Sequence, residues 1–118
     1  MTRIAPEIFR KRLLIEGFYS IEMDEKTIID YFAYITRELG LRTYGEPIVH
    51  YTGGKGKEQN QGYDGFVPLI DSGIYLCVWA NPKFLSLILY TCTEFNDSKA
   101  IEKTNEFFEF SEMEHARF

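Results

Sequence analysis

The stretch from Gly65 to Phe95, GFVPLIDSGIYLCVWANPKFLSLILYTCTEF, decides the fold. Three short apolar segments stand out in it, Gly65–Ile70, Ile74–Trp79 and Phe84–Cys92, each rich in β-branched or aromatic residues and read as strands. Asp71-Ser72-Gly73 and Ala80-Asn81-Pro82-Lys83 separate them, and both separators carry turn chemistry. Hairpin spacing of this kind makes the strands antiparallel.

Upstream, Arg12–Ser20 (RLLIEGFYS) reads as a further strand. Strict alternation puts Leu13, Ile15, Gly17 and Tyr19 on one face and Leu14, Glu16, Phe18 and Ser20 on the other. Asp24 is suited to cap a helix running to about Leu39, whose Ile28, Ile29, Phe32, Ile35 and Leu39 form one apolar stripe, with Gly40 as its stop. Thr43–Tyr51 reads as a strand in which Pro47 implies an edge or a bulge, and Thr52–Gly62 as a polar, glycine-rich loop. A second helix begins at Asp97 or Ser98 and runs to about Glu109, with Ala100, Ile101, Thr104, Phe107 and Phe108 inward.

The order strand, helix, strands, helix predicts an α+β two-layer sandwich: one mainly antiparallel sheet with two helices on one face, in a single domain over residues 1–118. An aromatic-rich sheet face left without helices needs a cover, so a homodimer made by sheet stacking is expected.

Ten Phe, eight Tyr and one Trp in 118 residues exclude a disordered chain. Thirteen basic against 18 acidic residues give a net charge of −5, which disfavours nucleic acid and anionic membranes and suits a small cationic ligand or a neutral partner. The longest nearly apolar run, Phe84–Tyr90, is far short of the roughly 20 residues of a membrane span. The N-terminal residues lack the pattern of a secretory signal, so a cytoplasmic location with Cys77 and Cys92 as reduced thiols is expected.

No Walker loop, GxGxxG, CxxC or HExxH occurs, and no metal site is expected. Gly53-Gly54-Lys55-Gly56-Lys57 mimics part of a phosphate cradle but lacks the following Ser or Thr and the helix, and reads as a loop. His115 falls in a polar C-terminal tail and reads as solvated. His50 falls at a strand end, either as a plain polar residue or as a proton-transfer group at a loop mouth.

In the segment from Ser72 through Trp79 to Tyr90-Thr91-Cys92, the chain resembles the prokaryotic S-adenosylmethionine decarboxylases, which carry Glu-Ser-His, an apolar strand with a His, a Trp, a turn and a strand ending in Phe/Tyr-Thr-Cys. The register runs without a gap. Leu13-Leu14-Ile15-Glu16, Leu39-Gly40 and the helix from Ser98 to Phe108 are similar to the family in place. Such enzymes cut their own chain before the serine and convert it to a pyruvoyl group, the electron sink for decarboxylation. The resemblance implies that Ser72 is the pyruvoyl precursor, that cleavage falls between Asp71 and Ser72, and that Cys92 reprotonates the α-carbon.

The departures fall on processing residues. Glu-Ser-His is Asp71-Ser72-Gly73 here, the processing histidine falls at Cys77, and a second family serine falls at Asp64. The expectation is therefore a family member that binds S-adenosylmethionine or a relative without routine self-processing. Phe18, Tyr19 and Trp79, with Glu16, are the candidate contacts for the cationic sulfonium. The alternatives are an active pyruvoyl-dependent lyase of spermidine (polyamine) biosynthesis, with Cys77 or Asp64 substituting in processing, and a non-enzymatic interaction domain.

Overall fold

A computed structural model describes residues 3–53 and 61–118. Alternation organises the sheet. In β1 (Lys11–Phe18), β3 (Gly62–Leu69), β4 (Ser72–Trp79) and β5 (Phe84–Thr91), Leu13, Ile15, Val67, Leu69, Ile74, Leu76, Val78, Leu85, Leu87 and Leu89 all point to one buried face. The helices α1 (Glu25–Leu39) and α2 (Asp97–Phe108) cover that face with Ile28, Tyr31, Phe32, Ile35, Ala100 and Phe108. With β2 (Ile48–Tyr51) and β6 (Glu112–Arg117), the described residues form a six-stranded antiparallel sheet in the order β2-β3-β4-β5-β1-β6. This is the expected α+β architecture.

Local chemistry sets the helix ends. Asp24 accepts from the Thr27 hydroxyl at 2.7 Å and from the Thr27 N–H at 2.8 Å, and these bonds hold its carboxyl below the ordinary range. Gly40 closes α1 at φ 67°, a left-handed cap that costs glycine little. The second helix starts at Asp97, as expected, and Asn96 caps it by accepting from the Lys99 N–H. The two helices are joined by the buried hydroxyls of Tyr31 and Thr104, 2.8 Å apart.

Three boundaries differ from the sequence reading. The strand expected over Thr43–Tyr51 shortens to β2, with Thr43 making only an isolated bridge to Leu69, because Pro47 lacks a ladder donor. The tight turn is Ile70-Asp71, so Ser72 and Gly73 open β4 instead of forming the turn. The tail expected to be solvated forms β6, where His115 pairs with Ile15. Its charged, exposed side chains suit a sheet edge, and they hide the strand from a periodicity search. Of the glycine loop, Gly54–Lys57 lie outside the described residues.

Candidate functional site

The Ile70-Asp71 turn places Ser72. Asp71 adopts φ 54°, a left-handed conformation that Asp tolerates better than most residues. The Ile70 N–H donates to the Arg42 carbonyl, tying the turn to the chain that follows α1. Where β5 ends, the Cys92 N–H donates to Ser72 Oγ at 3.1 Å. Both residues border a cavity of about 230 Å³, together with Arg42, Leu69, Asp71 and Thr93.

Lys11 fixes the connection that follows Cys92. It is 4% exposed at the start of β1, and its ammonium donates to Glu94 Oε1 at 2.5 Å, to the Phe95 carbonyl and to Asp97, with the Phe95 ring centroid 4.2 Å away. A buried ammonium is tolerable only when so fully paired. The same contact holds the Glu94 carboxyl below its ordinary range.

The sheet face away from the helices carries three rows set by strand register. One row runs His50, Asp64, Cys77, Ser86, Glu16 and Glu114 across all six strands. In it Cys77 Sγ donates to Asp64 Oδ1 at 3.1 Å and Ser86 Oγ to Glu16 Oε2 at 2.9 Å. A second row brings Phe66, Tyr75, Ile88 and Leu14 together. Phe66, Tyr75 and Ile88, with Tyr90, Gly73 and Ser72, line an aromatic cavity of about 430 Å³. Burial first, then Asp64 and Cys77, push the Tyr75 phenol above its ordinary range. The third row includes Trp79, Phe84 and Phe18, with ring centroids 5.7 Å and 5.4 Å apart along the chain of contacts.

Of the residues singled out in the sequence, Ser72 and Cys92 are brought together. Cys77 is not placed with them in the same chain: it lies five residues along β4, with alternation turning it to the opposite face from Ser72. Glu16 and Phe18 line a cavity of about 200 Å³ with Phe84, Glu112 and Glu114, and Trp79 reaches Phe18 through Phe84. Tyr19 is 3% exposed in the core and shares nothing with this face. Sequence reasoning missed the aromatic cavity. Alternation places Phe66, Tyr75 and Tyr90 on the open face, but only the register gathers them beside Ser72.

No family model matches this chain, and no curated protein matches it in sequence. Among solved structures it is similar to the adenosylmethionine decarboxylase from Aquifex aeolicus VF5, with a TM-score of 0.71 and 15% identity over 94% of this chain and 89% of that one. No helix among the described residues is long and apolar enough to cross a membrane. Likeness at 15% identity speaks for the fold, and in fold this chain is an adenosylmethionine decarboxylase-like α+β sandwich.

Proposed function

We propose that the protein is a divergent relative of the adenosylmethionine decarboxylases that keeps its chain uncut and binds S-adenosylmethionine or a related adenosyl sulfonium. The observation that carries this is the contact between Ser72 and Cys92, on this fold and at the spacing the resemblance requires of the cleaved serine and the proton donor.

A pyruvoyl group at Ser72 would require self-cleavage, an acyl shift that needs a base and an oxyanion site. The residues present suit that poorly. Neither His50 nor His115 is among the described residues lining the two cavities that Ser72 borders. Cys77, at the position the resemblance gives to the processing histidine, donates its S–H hydrogen bond to Asp64. A Cβ on Gly73 would come within 2.8 Å of the Phe66 ring, so the space for a side chain after Ser72 is already taken.

The open face offers a cation aromatic rings and carboxylates. Phe18, Phe84 and Trp79 supply the ring faces, and Glu16, Glu112 and Glu114 the negative charge. The same face leaves Phe66, Tyr75 and Tyr90 about two-fifths exposed, at 40%, 46% and 38%. A second copy stacked on it would remove these rings from water, and we assign the homodimer to this face.

The retained Ser72–Cys92 pair also supports a second reading, an active decarboxylase whose processing uses groups other than histidine. Calorimetric titration with S-adenosylmethionine tests the binding claim. Saturable binding that weakens at least tenfold in Glu16→Gln supports it. No heat of binding, or binding indifferent to Glu16, would leave an interaction domain instead.

A further inference from the structure

Two opposite charges line one small cavity without meeting. Arg42, on the chain leaving α1, and Asp71, in the turn before β4, both border the cavity of about 230 Å³ at Ser72 and Cys92. Both residues are exposed, and among the described residues neither makes an ion pair, with the other or with any third group. Opposite charges held apart across one cavity are matched by a ligand that carries both signs.

The backbone fixes where the two side chains start. The Ile70 N–H donates to the Arg42 carbonyl and Thr43 bridges Leu69, which ties the α1 exit to the end of β3. Asp71 is set by its left-handed φ of 54°. The cavity adds a second group for each sign. Ser72 Oγ accepts from the Cys92 N–H and has no acceptor for its own proton among the described residues, which leaves that proton for an anion. Gly40, also on the cavity wall, caps α1, and the carbonyl end of a helix favours a cation.

Leu41, Leu69 and Ile70 complete the wall with apolar surface. At about 230 Å³ the space is smaller than the roughly 300–1,000 Å³ of pockets that take drug-sized ligands, so it suits a ligand the size of one amino acid. We propose that this cavity binds a free α-amino acid with an apolar side chain, its carboxylate held by Arg42 and Ser72 and its ammonium by Asp71.

The site is distinct from both surfaces of the proposed function. Leu69 belongs to the helix-covered side of the sheet, and Gly40, Leu41 and Arg42 follow α1, so these walls are not the face assigned to a second copy. Ser72 and Trp79 are the first and last residues of β4, roughly 23 Å apart at the rise of a strand, so the amino acid and the sulfonium are separate molecules.

Titration calorimetry on the full chain at low salt tests the assignment, with L-leucine, L-leucinamide and isocaproate as separate probes. Leucinamide keeps the ammonium and lacks the carboxylate, and isocaproate keeps the carboxylate and lacks the ammonium. Leucine should bind at least tenfold more tightly than either, and more weakly as salt rises. Arg42→Gln should abolish the advantage over leucinamide, and Asp71→Asn the advantage over isocaproate. Gln keeps the main-chain bond to Ile70 and Asn tolerates the left-handed turn position, so both variants should melt at the wild-type temperature.

Equal affinity for leucine and either analogue overturns the two-signed site. Absence of leucine binding, or binding indifferent to both variants, overturns it as well. Binding of S-adenosylmethionine without leucine sinks this inference alone. Binding of leucine without S-adenosylmethionine sinks the proposed function alone.

Discussion

Cys92 and Ser72 stand 20 residues apart in sequence and meet through one hydrogen bond, the Cys92 N–H on Ser72 Oγ at 3.1 Å. The bond joins the first residue of β4 to the first residue beyond β5, and both residues border one cavity. Ser72→Ala deletes the acceptor and nothing else of the strand. A neutral bond of this kind contributes about 1 kcal/mol, so the Cys92 amide should exchange with solvent roughly fivefold faster, with little change at Ile74 or Leu89. Hydrogen exchange read by NMR checks this, and unchanged protection at Cys92 would mean that the bond does not form in solution.

Lys11 is the hub behind Cys92, and its loss should be felt at low pH. Lys11→Met keeps the aliphatic stem and removes the ammonium, at an expected cost of about 1.5–3 kcal/mol at neutral pH from the charged hydrogen bonds it makes. The Glu94 carboxyl is held below its ordinary value by the hydrogen bond from Lys11. A carboxyl depressed in the folded state contributes stability above its unfolded pKa and loses that contribution as the pH falls through its folded pKa. The gap between wild type and Lys11→Met should therefore close on acidification below the ordinary carboxylate range. Urea unfolding at a series of pH values measures it, and a gap independent of pH would exclude Glu94 from the linkage.

Phe66 guards the residue after Ser72. Gly73→His places a Cβ 2.8 Å and 3.0 Å from two atoms of the Phe66 ring, so the ring must move. Overpacking of this type costs about 1–3 kcal/mol. Adding Phe66→Ala should recover part of the loss by opening the space. Thermal melts of the single and double variants test the point. A Gly73→His protein as stable as wild type would show that the ring yields freely.

The Tyr31–Thr104 pair holds the two helices together in the core. Tyr31→Phe leaves the Thr104 hydroxyl buried without its partner and should cost about 1–3 kcal/mol. Tyr31→Phe with Thr104→Val removes both polar groups and should cost less than Tyr31→Phe alone. Burial pushes the Tyr31 phenol above its ordinary range, so the pair stays neutral and the effect should not vary between pH 6 and 9. Chemical denaturation of the three variants reads the cycle, and simple additivity would deny the bond.

Much of this architecture is legible in the chain because its signals are local. Asp24 and Gly40 bracket α1 by capping chemistry, and alternation in Leu13-Leu14-Ile15-Glu16 assigns the two faces of β1. β6 is illegible because Glu112-Met113-Glu114-His115-Ala116-Arg117 lacks apolar alternation, and its place depends on a distant partner. Gly17 supplies that partner: a Cβ there would collide with the Glu112 carbonyl, so only a glycine lets the edge strand close. The site divides in the same way. Ser72 and Cys92 are legible from motif spacing, whereas the gathering of Phe66, Tyr75 and Tyr90 depends on strand register, which no single strand encodes. Lys11, beside Arg10 and Arg12, reads as a charged flank, and only the fold reveals it as a buried ion.

The central claim is that Ser72 remains an ordinary serine in an uncut chain. Intact-mass spectrometry of freshly purified protein tests it most directly. The account predicts one species at the full-length mass of 13.8 kDa. Two fragments divided between Asp71 and Ser72, the C-terminal one beginning with a pyruvoyl group, would contradict it and make the protein a self-processing decarboxylase.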